Sequence, residues 1–421
     1  MQITVWLAAI VVIATVWAMV KRYETRLVLV TSGLVLATLS LSPMSALDAF
    51  AKSMTTGSLI MAICGAMGFA YVISYTRCDE HLVTLLAKPL AKLGLLLVPA
   101  AAAMTFFINI AIPSAAGCAA AVGATLIPLM LRSGIKPAGA AAAVLVGTYG
   151  SLLSPGLSHN AFVAKMAGFE IMQMIAHHAT YTLAMGAIGV LGVTIAVFLF
   201  KDHQGEVGAA GAKLAAGQAI DRPKLLFALA PFVPLVLLVL GNTVLPAIKM
   251  GVPQAMVIGA IYAFAVTRMS PAKMCNEFFN GMGKGYADVL GIIIAAGVFA
   301  AGLKSAGLID AFVEVLKNSN DIARWGGSIG PFLMGVLVGS GDAAAFAFNE
   351  AVTPHAAQFG MTIPDLGMLA AIAGALGRTM SPVAGVVIVV SGIAAVSPLE
   401  VVKRTAPAMM IGVVVLALIM V

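Results

Sequence analysis

Four short polar segments interrupt the apolar stretches of this 421-residue chain, and they contain side chains that could bind a charged ligand. They lie at residues 109–117, 151–160, 339–342 and 377–382. Irregular polar backbone is tolerated at membrane depth only where protein or a water-filled cavity satisfies its hydrogen bonds. These segments are therefore the candidates for a buried binding site.

Two of the segments contain a Ser-Pro dipeptide, Ser154-Pro155 and Ser381-Pro382. Serine is favoured at a helix N-cap and proline at the first helical position, so each dipeptide predicts the start of a half-helix. The free N–H groups and the positive dipole end of a half-helix favour an anion, and two such ends favour an anion with two carboxylates. Proline kinks that only bend a helix are the alternative, which two matched positions beside Gly-rich runs disfavour.

Arg378 is the only arginine deep inside a predicted span. A charge within the membrane predicts a functional site, and a guanidinium can bind both oxygens of one carboxylate. The alternative is an internal ion pair with Asp342, Glu350 or Asp365.

Asp342 lies at the tip of a predicted hairpin, where a carboxylate can either cap the following helix or take up H⁺ or Na⁺ as substrate binds. Glu350 follows on the same arm and is a weaker candidate for carrying protons. His159 could titrate near neutral pH, but a lone histidine is more often a structural hydrogen-bonding group. The predicted ion-coupling residues are Asn109, Asn160, Asp342 and Glu350.

The composition requires a membrane to position these residues. Only 10% of the residues are charged and 61% are apolar, with a mean hydropathy of +1.04. An ordinary soluble domain has about 25% charged residues, so a cytosolic enzyme, a nucleic-acid-binding protein and a secreted disulfide scaffold are excluded. The four cysteines are scattered without metal-ligand spacing, and we predict no metal site and no cofactor beyond a coupling Na⁺ or H⁺.

The apolar runs predict an all-α polytopic membrane protein, because runs of about 17–25 residues cross a hydrocarbon core of about 30 Å. Residues 137–155 align without gaps to residues 364–382, with matched Gly and Ser-Pro positions. This internal repeat predicts two homologous halves, 1–200 and 225–421, joined by a polar cytoplasmic linker at 201–224.

Charge bias predicts the orientation of the halves, since Lys and Arg concentrate on the cytoplasmic side. Both chain termini are predicted outside, and the two halves are predicted to have opposite orientations. His177 and His178 are predicted in an outside loop. In chain order the interrupted elements are a hairpin at 93–131, a broken helix at 138–176, a hairpin at 329–358 and a broken helix at 366–398. Inverted repeats with interrupted helices are typical of secondary transporters.

The second half resembles a known family, the anaerobic C4-dicarboxylate carriers of the DcuC type. The resemblance rests on residues 291–309, 339–350 and 377–405, and more loosely on 105–131 and 150–168. It implies a fold with two hairpins, a homodimer, and an elevator-like movement of the hairpin domain past a scaffold. The substrate region implied by matching motifs is Ser114, Ser154, Ser340, Arg378, Thr379 and Ser381.

The chain differs from this family pattern at Asp342, where the family has a neutral amide, and within residues 154–160. The resemblance therefore leaves the exact substrate and the coupling ion open. We expect a secondary carrier, not an enzyme, that moves succinate, fumarate or malate across a bacterial inner membrane, by ion coupling or exchange. The alternative is a carrier of the same fold for another organic anion or an amino acid. A membrane-embedded enzyme would need paired carboxylates or a His/Cys/Asp cluster at membrane depth, and the sequence contains neither.

Overall fold

The computed structural model describes residues 2–21, 23–90, 93–205, 222–311 and 320–420, and every regular element within these ranges is a helix. The helices of the first half are α1 (Gln2–Val20), α2 (Thr25–Leu39), α3 (Pro43–Met54), α4 (Gly57–Tyr75), α5 (Cys78–Leu90), α6 (Leu97–Ala111), α7 (Ala115–Arg132), α8 (Pro137–Gly147), α9 (Ser158–Ala167) and α10 (Ile171–Leu199).

The part of the second half that the structure describes contains ten further helices. Its helices are α11 (Leu225–Leu229), α12 (Val233–Thr243), α13 (Val252–Thr267), α14 (Pro271–Lys284), α15 (Gly291–Ser305), α16 (Asn320–Val338), α17 (Gly341–Ala351), α18 (Ile363–Thr379), α19 (Gly385–Ala394) and α20 (Pro398–Ile419). The shorter 3₁₀ turns are Gly94–Leu96, Gly150–Leu153, Ala230–Phe232, Pro246–Ile248 and Thr353–Phe359, and a π-helical turn at Gly285–Leu290 joins α14 to α15.

The described ranges contain seven helical stretches that are long and apolar enough to cross a membrane, or eight if the bent pair Thr353–Phe359 and α18 forms one span. Large apolar side chains such as Trp6, Ile13, Leu191 and Ile195 are exposed on the outside of the bundle, where lipid would cover them. The chain is therefore a multi-pass membrane protein, as the composition predicts.

Small residues form the centre of the bundle. In α8 every residue from Ala138 to Gly147 is buried, and almost all of α18 is buried in the same way. Alanine and glycine let neighbouring backbones approach closely, which is how membrane helices pack when lipid is as apolar as their side chains. The breaks of the two interrupted helices follow directly after α8 and α18, at the middle of the protein.

Two pairs of helices have boundaries at the same separation along the chain. Helix α9 and helix α19 begin at Ser158 and Gly385 and end at Ala167 and Ala394, in both cases 227 positions apart. Helices α10 and α20 also begin 227 positions apart.

One backbone contact repeats as well. A Cβ atom on Gly150 would lie 1.8 Å from the carbonyl oxygen of Phe106, and one on Gly377 would lie 2.0 Å from that of Phe332. In each half a glycine thus brings the end of a hairpin arm against the interrupted helix, at a distance that no other residue permits.

Several boundaries differ from the sequence prediction. The first broken helix ends at Ala167 and not near 176, because Gly168 adopts a left-handed conformation (φ +70°) that caps α9. His177 and His178 consequently lie inside α10 and not in an outside loop. The first arm of the second hairpin begins at Asn320, before the predicted start of that hairpin at 329.

The beginning of the predicted linker is fixed to the bundle. Asp202 is fully buried and accepts two hydrogen bonds from Arg404 of α20, at 2.9 and 3.0 Å. The Arg404 guanidinium also stacks over Phe200, and the Asp202 carbonyl accepts a hydrogen bond from the Lys136 backbone. This network ties α10, α20 and the α7–α8 connection together. The rest of the predicted linker, 206–221, lies outside the described residues.

Candidate functional site

The tips of both hairpins and the breaks of both interrupted helices meet around one cavity of about 310 Å³. This volume falls within the usual range of small-molecule sites, about 300–1,000 Å³. The polar side chains that line it are Ser114, Ser151, Ser158, His159, Ser340, Asp342 and Arg378. The four polar segments of the sequence therefore form a single site.

Four helices begin at this cavity: α7, α9, α17 and α19. The two hairpin helices share the same cap, since Ser114 Oγ accepts a hydrogen bond from Gly117 N at 3.1 Å and Ser340 Oγ accepts one from Ala343 N at 3.4 Å. Helices α9 and α19 follow Leu157 and Ala384 and have no side-chain cap. The first-turn N–H groups of a helix lack intrahelical partners and carry a positive partial charge. Four such ends make the cavity favourable for an anion.

The predicted N-caps Ser154 and Ser381 are wrong, because α9 and α19 begin four residues later, at Ser158 and Gly385. Each serine instead opens a turn. Ser154 Oγ accepts from Gly156 N at 3.3 Å and Ser381 Oγ from Val383 N at 3.4 Å.

The serine carbonyls accept hydrogen bonds from the residues three positions on, at 3.1 and 3.2 Å. Proline at the second position of a β-turn is as favourable as proline at the start of a helix, so the dipeptide alone does not distinguish the two. Both serines are buried behind the cavity and do not line it.

Arg378 lines the cavity from the last turn of α18, so the break follows it and does not contain it. Its Nη2 donates to the carbonyl of Thr148 at 3.4 Å, and its Nε is buried without a hydrogen-bond partner in the described part of the chain. The carboxylates proposed as internal partners are engaged elsewhere or distant: Asp342 contacts His159, and Asp365 contacts His177. The described residues provide no ion pair for Arg378, so its charge is available to a ligand.

Asp342 and His159 form a contact across the cavity wall. His159 Nε2 lies 3.0 Å from Asp342 Oδ1, and the imidazole stacks on Phe346 with ring centroids 4.3 Å apart. The His159 side chain is 4% exposed, whereas that of Asp342 is 61% exposed and faces the cavity. Ser340 is the N-cap of α17, so Asp342 is not the cap that the sequence offered as one alternative.

The side chains of Asn109 and Asn160 stabilise the irregular backbone at the first break. Asn109 Nδ2 donates to the Ile112 carbonyl at 2.8 Å, and its Oδ1 accepts from Ser151 N at 2.7 Å. Asn160 Nδ2 donates to the carbonyls of Leu152 and Ser154, at 2.8 and 2.9 Å. Both amides are fully buried and neither lines the cavity.

Two further predicted residues also lie away from the cavity. Thr379 Oγ1 donates to the carbonyl of Ala375 at 2.9 Å, within its own helix. Glu350 lies at the far end of α17, about 12 Å from Asp342 along the helix axis. Of the predicted substrate-binding residues, Ser114, Ser340 and Arg378 line the cavity, while Ser154, Thr379 and Ser381 lie behind it. Of the predicted ion-coupling residues, only Asp342 does.

Sequence reasoning missed the role of His159, because its partner lies 183 positions away and no periodicity connects them. It also missed Ser151 and Ser158, which line the cavity beside the first break. The cluster of polar residues around Ser154 indicated a site near the first break, but the sequence does not show which of several nearby hydroxyl groups faces the cavity.

A second cavity, of about 370 Å³, adjoins the first at the tip of the first hairpin. The two share Met67, Pro113 and Ser114, and the second extends to Asp79 and Glu80 at the start of α5. Helix α5 is not among the candidate membrane spans. Burial raises the pKa of the Asp79 carboxyl group, at the start of this helix, to about 6. At the second hairpin, helix α17 packs along helix α15. The two cavities together reach from the hairpin tips to the start of α5.

Comparisons with known proteins agree with this geometry. A family model described as DcuC, C4-dicarboxylate anaerobic carrier, matches residues 1–421. The anaerobic C4-dicarboxylate transporter DcuC of Escherichia coli strain K12 is 30% identical over 384 residues, which cover 85% of this chain and 79% of the relative. A putative uncharacterized transporter of Haemophilus influenzae is 55% identical over 278 residues, covering 64% of this chain and all of that protein. The solved structure of the YdaH transporter of Alcanivorax borkumensis matches with a TM-score of 0.59 and 15% identity, covering 89% of this chain and 86% of that one, which shows a shared fold.

Proposed function

The chain belongs to the DcuC family of anaerobic C4-dicarboxylate carriers, and from this premise we propose that it is a secondary active transporter for succinate, fumarate or malate. The observation that carries the proposal is the convergence of four helix N-termini and Arg378 on one cavity. Transport across the bacterial inner membrane, and not catalysis, is the proposed activity.

A C4-dicarboxylate has two carboxylates at opposite ends of a short chain, and the cavity offers two kinds of anion partner. Arg378 can bind one carboxylate through its guanidinium, whose Nε has no partner in the described protein. The N-termini of the hairpin helices at Ser114 and Ser340 offer N–H groups to the other carboxylate. This division explains a preference for two separated negative charges.

The transport cycle that we propose uses two inverted repeats. The shared separation of the α9/α19 boundaries and of the α10/α20 starts, together with the repeated contact of Gly150 and Gly377, supports homologous halves. The charge bias supports opposite orientations. In an elevator-like cycle the hairpins and broken helices would move together past the remaining helices, within each subunit of a homodimer.

The second cavity supports an assignment of the access route. The charge bias assigns the start of α5 to the cytoplasmic side. The two adjoining cavities, from Ser114 to Asp79, then lie on the cytoplasmic side of the site, and we propose that this conformation faces inward.

One observation favours a second substrate class. Asp342 exposes a carboxylate to the cavity, and a carboxylate is a natural partner for an ammonium group. An amino dicarboxylate such as aspartate would place its carboxylates at Arg378 and the helix N-termini, and its ammonium group at Asp342.

The test is uptake of labelled succinate into proteoliposomes under imposed H⁺ or Na⁺ gradients, with fumarate, malate, aspartate and monocarboxylates as competitors. We expect dicarboxylates to compete and monocarboxylates to fail. Strong competition by aspartate with weak competition by succinate would select the second class. No gradient-driven uptake of any of these anions would contradict the proposal.

A further inference from the structure

The two oxygens of the Asp342 carboxylate have different surroundings. Asp342 Oδ1 is held by His159 Nε2 at 3.0 Å. Oδ2 has no hydrogen-bond partner within the described residues, and the side chain is 61% exposed in the cavity. One oxygen is therefore fixed by the protein and the other is available to solvent or substrate.

The imidazole of His159 is enclosed by the protein. The ring lies against Phe346, one turn after Asp342 on α17, and Phe346 is fully buried. His159 Nδ1 is buried and has no hydrogen-bond partner in the described protein. Of the two side chains, Asp342 is the one whose free oxygen, Oδ2, can receive a proton from the cavity.

The charges around the cavity explain why a bound dianion would favour a proton on Asp342. The charged or titratable side chains that line it are Arg378, Asp342 and His159, and the lining residues of α4, α7, α19 and the π-helical turn are apolar or carry a hydroxyl group. The guanidinium of Arg378 and an ionised Asp342 carry opposite charges on this cavity. A dianion would then add two negative charges beside a third, and like charges at close range oppose each other's ionisation.

We propose, on the basis of the proposed function, that Asp342 binds one proton with each dianion and that His159 is its positioning residue. The proton comes from solvent and binds Asp342 Oδ2, and no covalent bond to substrate forms. The resulting O–H donates to a substrate carboxylate, which replaces a repulsion by a charge-assisted hydrogen bond. The proton leaves when the substrate leaves, so the pair couples H⁺ to dicarboxylate transport.

The test counts protons. Purified protein in weakly buffered detergent is titrated with succinate in the presence of a pH indicator, at a pH where free succinate is a dianion. We expect about one proton taken up per succinate bound by the wild type, and Kd to rise about tenfold for each unit of pH above the point at which Asp342 ionises. Asp342→Asn keeps an uncharged donor, so we expect binding without proton uptake and a nearly flat dependence of Kd on pH.

The chain offers a matched control in a second His–Asp contact. His177 Nε2 lies 2.7 Å from Asp365 Oδ1, and neither residue lines the cavity. Asp365→Asn should keep the proton uptake of the wild type. For the positioning residue, His159→Gln keeps an N–H donor and should keep proton uptake, whereas His159→Leu removes the donor and should alter the pH profile of binding.

The outcomes separate this proposal from the proposed function. Succinate binding without proton uptake in the wild type would overturn the proton site and leave the dicarboxylate carrier intact. Uptake that survives in Asp342→Asn would assign the proton to another group. A requirement for Na⁺ that disappears in Asp342→Asn would show a sodium site instead. No succinate binding by the wild type would overturn the proposed function, and the proton site with it.

Discussion

Replacing Arg378 by lysine separates a guanidinium-specific site from a merely positive one. The side chain lines the cavity from the last turn of α18, its Nε lacks a partner in the described protein, and no described carboxylate forms an ion pair with it. Lysine keeps the charge but loses the planar pair of donors that matches a carboxylate. A hydrogen bond to a charged group contributes about 1.5–3 kcal/mol, so loss of one of two should weaken succinate binding by roughly 10- to 150-fold.

Stability gives an independent measure in the same experiment. Because Arg378 forms no ion pair with a described residue, its replacement leaves no buried carboxylate unpaired, and we expect the thermal midpoint of the lysine variant to stay within a few degrees of the wild type. The matched control is Arg132→Lys, since Arg132 also lies in the last turn of a helix but is exposed and away from the cavity. The assay is succinate affinity of purified protein by calorimetry, with thermal unfolding alongside. Succinate affinity in Arg378→Lys within threefold of the wild type would refute the reasoning, as would loss of folding without loss of affinity in the folded fraction.

Three further outcomes follow from the structure. Gly377→Ala should destabilise the protein by about 1–3 kcal/mol or prevent folding, because the new Cβ would lie 2.0 Å from the Phe332 carbonyl oxygen. In the control variant Gly392→Ala the new Cβ meets no atom within 4 Å, and we expect no loss of stability. Equal thermal midpoints for the two variants would contradict the packing. Because burial raises the pKa of Asp79 to about 6, the folded protein binds a proton more tightly than the unfolded chain, so stability should fall as pH rises from about 4 to about 6. Asp79→Asn should flatten that part of the thermal-midpoint profile and stabilise the protein at pH 7 by up to ~3 kcal/mol; an unchanged profile would refute this. A cysteine introduced within 201–224 of a Cys-free variant should react with a membrane-impermeant reagent only from the cytoplasmic side, and labelling only from outside would refute the inverted repeats.

The sequence predicted the positions of the hairpins and the breaks because glycine and proline determine backbone geometry locally. The first hairpin, predicted at 93–131, corresponds to α6 and α7, whose last residue is Arg132. The meeting of all four polar segments follows from the same patterns, once the chain is known to cross a membrane. Arg378 was identified for a physical reason, the cost of an unpaired charge at membrane depth.

The details that the sequence did not predict depend on which of several equivalent local structures the tertiary packing selects. Ser-Pro opens a turn and not a helix at Ser154 and Ser381, and the local preferences for the two are alike. The contact of His159 with Asp342 and that of Arg404 with Asp202 join residues 183 and 202 positions apart, and neither leaves a periodic signal. Such pairs become visible only when the helices that carry them are placed in space.

The most direct test of the central claim is an experimental structure of the protein with succinate bound. We expect density for the dicarboxylate in the cavity between the hairpin tips, with one carboxylate on the Arg378 guanidinium and the other at the N-termini of the helices that Ser114 and Ser340 cap. Succinate bound elsewhere, or bound in this cavity with Arg378 turned toward an internal carboxylate, would contradict the account.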